Sequence, residues 1–425
     1  MLLRLPYTLL WLFALPLVLL RLVWRARRQP AYLKHVGERF ARYRKRAPCE
    51  VIWVHAVSVG ETRAAEPLIR ALLERHPGHS VLLTHMTPTG RATSKTLFGN
   101  DPRVLRAYLP YDLGLLCGRF LRHFRPALGI VMETELWPNL LAACARRGVP
   151  VLLANARLSA RSARRYARWP ALTRATLGAL SALGAQTDAD AERLRALGAP
   201  NVETTGNAKF DVEPTPALLE LGGRFRARAG GRSLVLAAST REGEEAPLLD
   251  AFLRLAPDDA VLLLVPRHPQ RFDEVAALAA ARGVRLQRRS GNDDLAADTR
   301  VWLGDSMGEM FAYYAAAEVA LIGGSWLPFG GQNLIEACAV GTPVVLGPHT
   351  FNFALAAAQA EEAGAALRCD DAEAGMRAAL ELLGDGARRR AMGEAGRIYA
   401  ATHRGATART LELAERLLNA RPAGR

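Results

Sequence analysis

At 425 residues the chain is too long for one ordinary core, so two α/β domains are the expectation. Half of the residues are apolar, which excludes a disordered chain and a polytopic membrane protein. Five scattered cysteines without a C-x-x-C argue against a disulfide framework or a zinc site and fit a reducing compartment, and the net charge of +15 is unevenly placed.

The chain opens on an uncharged apolar run, 5–20, that holds Trp11 and Phe13 and is flanked by Arg4 and Arg21. A full span usually takes ~20 apolar residues, so this run is short for one. A cleaved signal peptide fits least, because no small-residue cleavage site follows. A buried core helix would leave both flanking arginines to snorkel. A membrane anchor over 1–22, spanning or shallowly inserted, fits best. Between Arg21 and Arg46 lie ten Lys/Arg and one acid, Glu38. Beside an apolar run, such a segment belongs on the cytosolic side of a membrane, against an anionic leaflet.

Apolar runs then alternate with helical patterns. Strands are expected at 51–56, 81–84, 128–132 and 149–154, with helices at 64–75, 113–124 and 138–147 among others. This is the rhythm of βαβ units and a parallel sheet. Prolines and glycines crowd 211–231, which reads as an interdomain linker. A second series follows, with strands at 234–238, 261–265, 301–303, 319–322 and 344–346 and a helical stretch from 374 to 418. The sequence predicts two Rossmann-like domains, 23–210 and 232–425, with a cleft between them. Ligands of such sheets bind outside the carboxyl ends of the strands, so strand-end residues are the candidates for chemistry.

Glu61 ends HAVSVGE after the first strand. It is placed either as a catalytic base or as the acid of a capping box with Ser58. Glu133 and Glu135, in METELWPN, follow the third expected strand. If the chain is still extended there they share a face, and one carboxylate raises the pKa of the other; if it has left the strand their relative facing is open. The alternative to a cleft role is that one of them meets an arginine. Lys209, in GNAKFD, stands before the linker as a phosphate or carboxylate partner, or as a solvated surface residue. Arg267 and His268 follow a strand where a phosphate contact fits. Met307, Gly308 and Glu309 open a helix at another strand end, as cap or as site. Asp188 and Asp190 spell D-x-D, but acids in a first helical turn favour the dipole in any case, and no residue set has metal spacing. In GGSWLPFGGQNLIEA, residues 323–337, a strand runs into paired glycines and then a helix opening near Gln332 and Asn333. With Glu336 one turn in, this is either a nucleotide cradle or an ordinary βα loop.

Taken together and in order, these segments resemble the 3-deoxy-D-manno-octulosonic acid (Kdo) transferases. The resemblance is carried by GERF (37–40), HAVSVGE (55–61), MTPTG (86–90), YLPYD (108–112), METELWPN (132–139), NARLS (155–159), GNAKFD (206–211), STREGEE (239–245), VPRHPQRF (265–272), GDSMGE (304–309), GGQNLIEA (330–337) and GPHTFNF (347–353). It implies an α/β GT-B fold with the site between two Rossmann-like domains, at the cytoplasmic face of the inner membrane. It implies CMP-Kdo as donor, held by the C-terminal domain, and a lipid A precursor as acceptor on the N-terminal domain. It implies Glu61 as the general base, with inversion and release of CMP, and Glu133 and Lys209 as supports of the transition state. Pro266, Arg267, Met307, Gly308, Glu309, Asn333, Leu334, Ile335 and Glu336 match CMP-binding positions. The family is thought to need no metal or other cofactor. Gln332 departs from the pattern, where a His is expected; Gln keeps hydrogen-bonding capacity but carries no charge.

The nearest rivals on the same fold are a nucleotide-sugar epimerase and another lipid-linked glycosyltransferase; turnover of CMP-Kdo rather than UDP-sugars separates them. From another class, the basic charge suits a nucleic-acid-binding protein. The charge clusters beside an apolar segment rather than on an aromatic-studded face, so no nucleic-acid partner is expected.

Overall fold

The computed structural model describes residues 2–211 and 213–420; Met1 of the expected anchor, Val212 of the expected linker and 421–425 of the expected second domain lie outside the described residues. The chain divides into two compact units, Met1–Asp211 with Arg404–Arg425, and Val212–His403.

The first unit carries strands β1 (Glu50–His55), β2 (His79–His85), β3 (Val104–Tyr108), β4 (Pro126–Met132), β5 (Val151–Ala156), β6 (Ala182–Ala185) and β7 (Val202–Thr204). They form a parallel sheet in the order β3-β2-β1-β4-β5-β6-β7. Alternate residues of β1 enter opposite cores: Val51 and Trp53 join one cluster, Ile52 and Val54 the other. Both faces are therefore covered, as a parallel sheet requires. Gly129 on β4 admits the Trp53 ring, since a Cβ there would lie 2.7 Å from it. Strand order reverses between β1 and β4, which run parallel, so their carboxyl ends are the switch point of this sheet.

The second unit repeats the plan with β8 (Ser233–Thr240), β9 (Ala260–Pro266), β10 (Leu286–Arg288), β11 (Val301–Leu303), β12 (Val319–Ile322), β13 (Val344–Leu346) and β14 (Ala366–Arg368). Their order is β10-β11-β9-β8-β12-β13-β14, and the switch point falls between β8 and β12.

Two boundaries differ from the expected ones. Most of the expected linker, 211–231, is the helix Pro216–Arg228, capped by Thr215. It packs on the helix Met310–Ala316 within the second unit, where a Cβ on Gly222 would lie 2.7 Å from the Ala315 methyl. That glycine marks close helix contact, not a loop. The expected second domain, 232–425, also loses its last helix. Ala406–Asn419 returns to the first unit, where Leu411, Leu413 and Ala414 enter a core cluster with β1 and β4. Asp211 caps it, with Oδ1 accepting from Gly405 N–H at 2.7 Å.

The N-terminal helix is Leu5–Arg28, longer than the apolar run. By length and composition it is able to cross a membrane. One side of it rests on the first unit. Trp11 lies 5.9 Å from the Tyr111 ring and 6.4 Å from Trp137, and Asn139 donates to Thr8 Oγ1 at 3.0 Å. Leu22 and Ala26 continue that side as buried residues. The opposite side shows Leu10, Phe13, Leu17, Leu20 and Trp24, all exposed, Phe13 by 78%. Their three- and four-residue spacing makes them one stripe.

Candidate functional site

In the first unit, the loops after β1 and β4 bring carboxylates to the switch point. Ser58 caps the helix Val59–Ala64, accepting from Glu61 N–H at 3.3 Å. Glu61 completes the capping box one residue earlier than expected: its Oε2 accepts from Val57 N–H, and its Oε1 from the Ser58 hydroxyl, both at 2.8 Å. These bonds fix the rotamer of a residue only 8% exposed. Burial pushes its carboxyl above the ordinary value, the Val57 and Ser58 bonds oppose this, and Glu133 adds to it. The cap and the base are thus not exclusive. The same bonds that end the helix hold a carboxylate with a raised proton affinity.

Glu133 leaves β4 in the left-handed region, φ 55°, while its N–H donates to Ala154 O at 2.8 Å. A non-glycine residue held there costs about 1–3 kcal/mol, and such strain clusters at functional sites. The chain has left the strand, so the extended geometry that would set Glu133 and Glu135 on one face does not arise. Their coupling survives nonetheless. Burial, then Glu61, then Glu133 push the Glu135 carboxyl up to about 7. Glu61, Glu133 and Glu135 form one electrostatic cluster. His55, at the end of β1, is no rival as a base, because burial and His85 push it down to about 3.

Lys209 lies on a short 3-10 turn, Ala208–Phe210, that Asn207 caps. The turn is tied to the end of β5, where Asn155 Oδ1 accepts from Ala208 N–H at 3.0 Å. Asn155 also holds φ 55°. Its buried Nδ2 finds no acceptor among the described residues. Asn155 stands in NARLS, and a polar residue at a strand end was the available signal for it. The two aspartates of D-x-D are occupied locally. Asp190 accepts from Leu158 N–H at 2.8 Å, and Asp188 from the Thr204 hydroxyl at 2.6 Å.

In the second unit, the loops after β8 and β12 meet at the other switch point. Gly323 allows it, since a Cβ there would lie 2.5 Å from Ser239 O. The organising residue is Glu244, wholly buried, which the sequence reading placed in STREGEE without a role. Its carboxylate accepts from the N–H groups of Arg241, Gly324, Trp326 and Leu327 at 2.8, 2.7, 2.9 and 3.2 Å. One buried acid thereby shapes the glycine loop. Gln332 lies against Gly324, its Nε2 3.0 Å from where a Cβ would stand, so that side chain packs on the loop.

The helix after this loop is Ile335–Val340, two residues later and shorter than the expected opening at Gln332 and Asn333. Asn333 fixes its start: Oδ1 accepts from Ile335 N–H and Nδ2 donates to Glu336 Oε1, each at 3.1 Å. Leu334 and Ile335 bury their side chains in the core, leaving only backbone for a ligand. Pro266 ends β9, and Arg267 N–H donates to Thr240 O at 2.9 Å. Around His268 the field is positive; burial, Arg241, Arg267 and Arg271 all lower its pKa. Gly308 takes φ 85°, Met307 is 54% exposed, and Glu309 accepts from Arg289 Nη2 at 2.9 Å.

A family model described as 3-Deoxy-D-manno-octulosonic-acid transferase (kdotransferase) matches residues 34–212. The chain is 48% identical to a 3-deoxy-D-manno-octulosonic acid transferase of Bordetella pertussis, over 96% of this chain and 98% of that one. It is 38% identical to the transferase of that name from Haemophilus influenzae, over 96% and 97%. In fold it is similar to a glycosyltransferase from Rickettsia africae, TM-score 0.58 at 14% identity, over 88% of this chain and 100% of that one. The fold is GT-B: two Rossmann-like α/β units, each with a seven-stranded parallel sheet.

Proposed function

The chain belongs to the Kdo transferase family and is a glycosyltransferase; from that premise we propose that it moves Kdo from CMP-Kdo to a lipid A precursor, with inversion and release of CMP. The observation that carries the chemical reading is the cluster of Glu61, Glu133 and Glu135 at the β1/β4 switch point. A sugar hydroxyl is a poor nucleophile at neutral pH and needs a base as it attacks. Glu61 is that base. Its fixed rotamer points one carboxylate, and its raised pKa brings proton affinity closer to the working pH. The hydroxyl oxygen bonds to the anomeric carbon of Kdo, the bond from that carbon to the CMP phosphate oxygen breaks, and Glu61 keeps the proton. Glu133 and Lys209 support the charge that develops.

The second unit holds the donor. Positive charge from Arg241 and Arg267 suits the CMP phosphate and eases its departure, while Arg271 is held by Glu245 and Glu274. Pro266, Met307 to Glu309 and Asn333 to Glu336 frame the nucleotide, with Glu336, oriented by Asn333, set for ribose hydroxyls. The N-terminal helix supports a place on the inner membrane, cytoplasmic face. Its exposed stripe suits the acyl boundary, and the basic run after it suits anionic headgroups.

Glu61→Gln is expected to abolish transfer while CMP-Kdo binding persists. Mass spectrometry of the acceptor after incubation reads the first, and calorimetric titration the second. Full activity in that variant would return Glu61 to a capping role. A second reading rests on one observation, that Glu135 is pushed up to about 7. If Glu135→Gln, and not Glu61→Gln, stops transfer, the base is Glu135.

A further inference from the structure

The first unit holds a cavity of about 1230 Å³ that shares no residue with the Glu61 cluster or the donor-binding set, and whose lining includes the end of the basic run. Its walls are the edge strand β3, the helix Pro88–Phe98 and the segment 42–48, which is tied to β3 where the Tyr43 hydroxyl donates to Tyr108 O at 3.1 Å. Arg42, Arg44, Arg46, Arg91, Lys95 and Arg106 line it, and Glu38 of GERF is the one acid among the lining residues. That acid is already engaged. It accepts from Tyr108 N–H at 2.8 Å and takes both guanidinium nitrogens of Arg91. It has little capacity left to neutralise the other cations.

Arg106 is the exceptional member. Its Nε and Nη2 are buried, and neither meets an acceptor among the described residues. Burial and the nearby Arg91 pull its pKa below the ordinary value. Two guanidinium nitrogens cut off from water and from protein acceptors are destabilising, even on a half-buried side chain, and a wall evolved only for packing would carry an apolar residue there. The arrangement gains sense once an anion supplies the acceptors. A guanidinium fork with further cations around it suits a group of high charge and several oxygens, which is a phosphate rather than a lone carboxylate. The volume greatly exceeds a free phosphate, so the phosphate is carried by something larger.

We propose that this cavity binds a phosphate monoester, with half-buried Arg106 as the anchor through Nε and Nη2 and Arg91, Lys95 and the arginines of 42–46 around it. The monoester comes either from a phosphorylated lipid headgroup or from a soluble phosphorylated compound.

The test uses the full chain in detergent and three variants. Thermal unfolding is followed in glycerol 3-phosphate against chloride of equal ionic strength. Flotation is followed with phosphatidylcholine vesicles carrying either phosphatidic acid, a monoester, or phosphatidylglycerol, a diester. The wild type is expected to gain several degrees in glycerol phosphate or to prefer phosphatidic acid over phosphatidylglycerol, or both. Arg106→Gln should lower that affinity at least tenfold, Arg106→Lys should retain part of it, and the exposed Lys95→Gln should lower it severalfold. Response in flotation alone identifies a lipid source, response in solution alone a soluble one, and both arms together the shared phosphate chemistry. Because Arg106 makes no bond through Nε or Nη2, Arg106→Gln should melt no lower than wild type in chloride. A lower melting point, a wild type that answers neither probe, or an Arg106→Gln that answers as the wild type does would each overturn the assignment. No sugar transfer enters these readouts, so they stand or fall separately from the transferase reading.

Discussion

Glu135 is the residue whose behaviour is most exposed to measurement. Its folded pKa, about 7, stands above the ordinary 4.5. The folded state therefore binds more protons than the unfolded one between those values, and stability falls as pH rises through that window. Glu135→Gln should flatten this slope in pH-dependent denaturant unfolding. The same variant should remove an inflection near pH 7 from the kcat/KM profile, because Glu135 gains its charge close to that pH beside Glu61 and Glu133. Profiles that superimpose would mean that Glu135 does not titrate within the cluster. At this scale the sequence was informative about place more than about arrangement. Glu61 was legible as both cap and base, and the structure makes it a cap that orients a carboxylate. The effect of Glu133 on Glu135 was legible too, though it acts across the loop after β4 and not along a shared strand face. Asn155 and Glu244 lay inside quoted motifs without a role, because a hydrogen-bond partner distant in sequence leaves no local periodicity.

Among the elements, the glycine loop after β12 depends on a single acid. Glu244→Gln would turn one of its acceptor oxygens into a donor facing backbone N–H groups, at a cost of roughly 1.5–3 kcal/mol. Denaturant unfolding should show that loss. Because the loop is proposed to frame CMP, the variant should raise KM for the donor more than it lowers kcat. An unchanged KM would detach Glu244 from donor binding. The strands that reached the sequence reading are those rich in β-branched and leucine residues, such as β1, β9 and β12. Of those it missed, β3, β6, β7, β10 and β14, several carry arginine or glycine where a buried strand is expected to be apolar. They lie toward sheet edges, where one flank is free and polar residues are tolerated.

On the scale of the molecule, the N-terminal helix lies along the first unit by one side and shows a long apolar stripe on the other. Charging that stripe with Phe13→Glu and Leu17→Glu should cut association with anionic vesicles by more than tenfold in flotation, while far-ultraviolet circular dichroism stays unchanged. Retained association would remove the stripe from membrane binding. The two-domain plan was readable from strand rhythm alone. Its boundaries were not, since a helical period says nothing about which sheet a helix covers. The C-terminal helix belongs to the first unit through Leu411, Leu413 and Ala414 and through the Asp211 cap. Asp211→Ala should cost about 1 kcal/mol, the usual value of a lost helix cap, read as a lower melting temperature.

That returning helix also sets an order of assembly. A ribosome emits the chain from its amino end, and domains ordinarily fold in that order as they emerge. Here the first core is finished by a helix that follows the whole second unit in the chain, while Val212–His403 is one continuous stretch. During synthesis, the second unit has all of its residues before the first unit does. The half that carries Glu61 waits longer, with part of its apolar surface uncovered until Ala406–Asn419 has emerged.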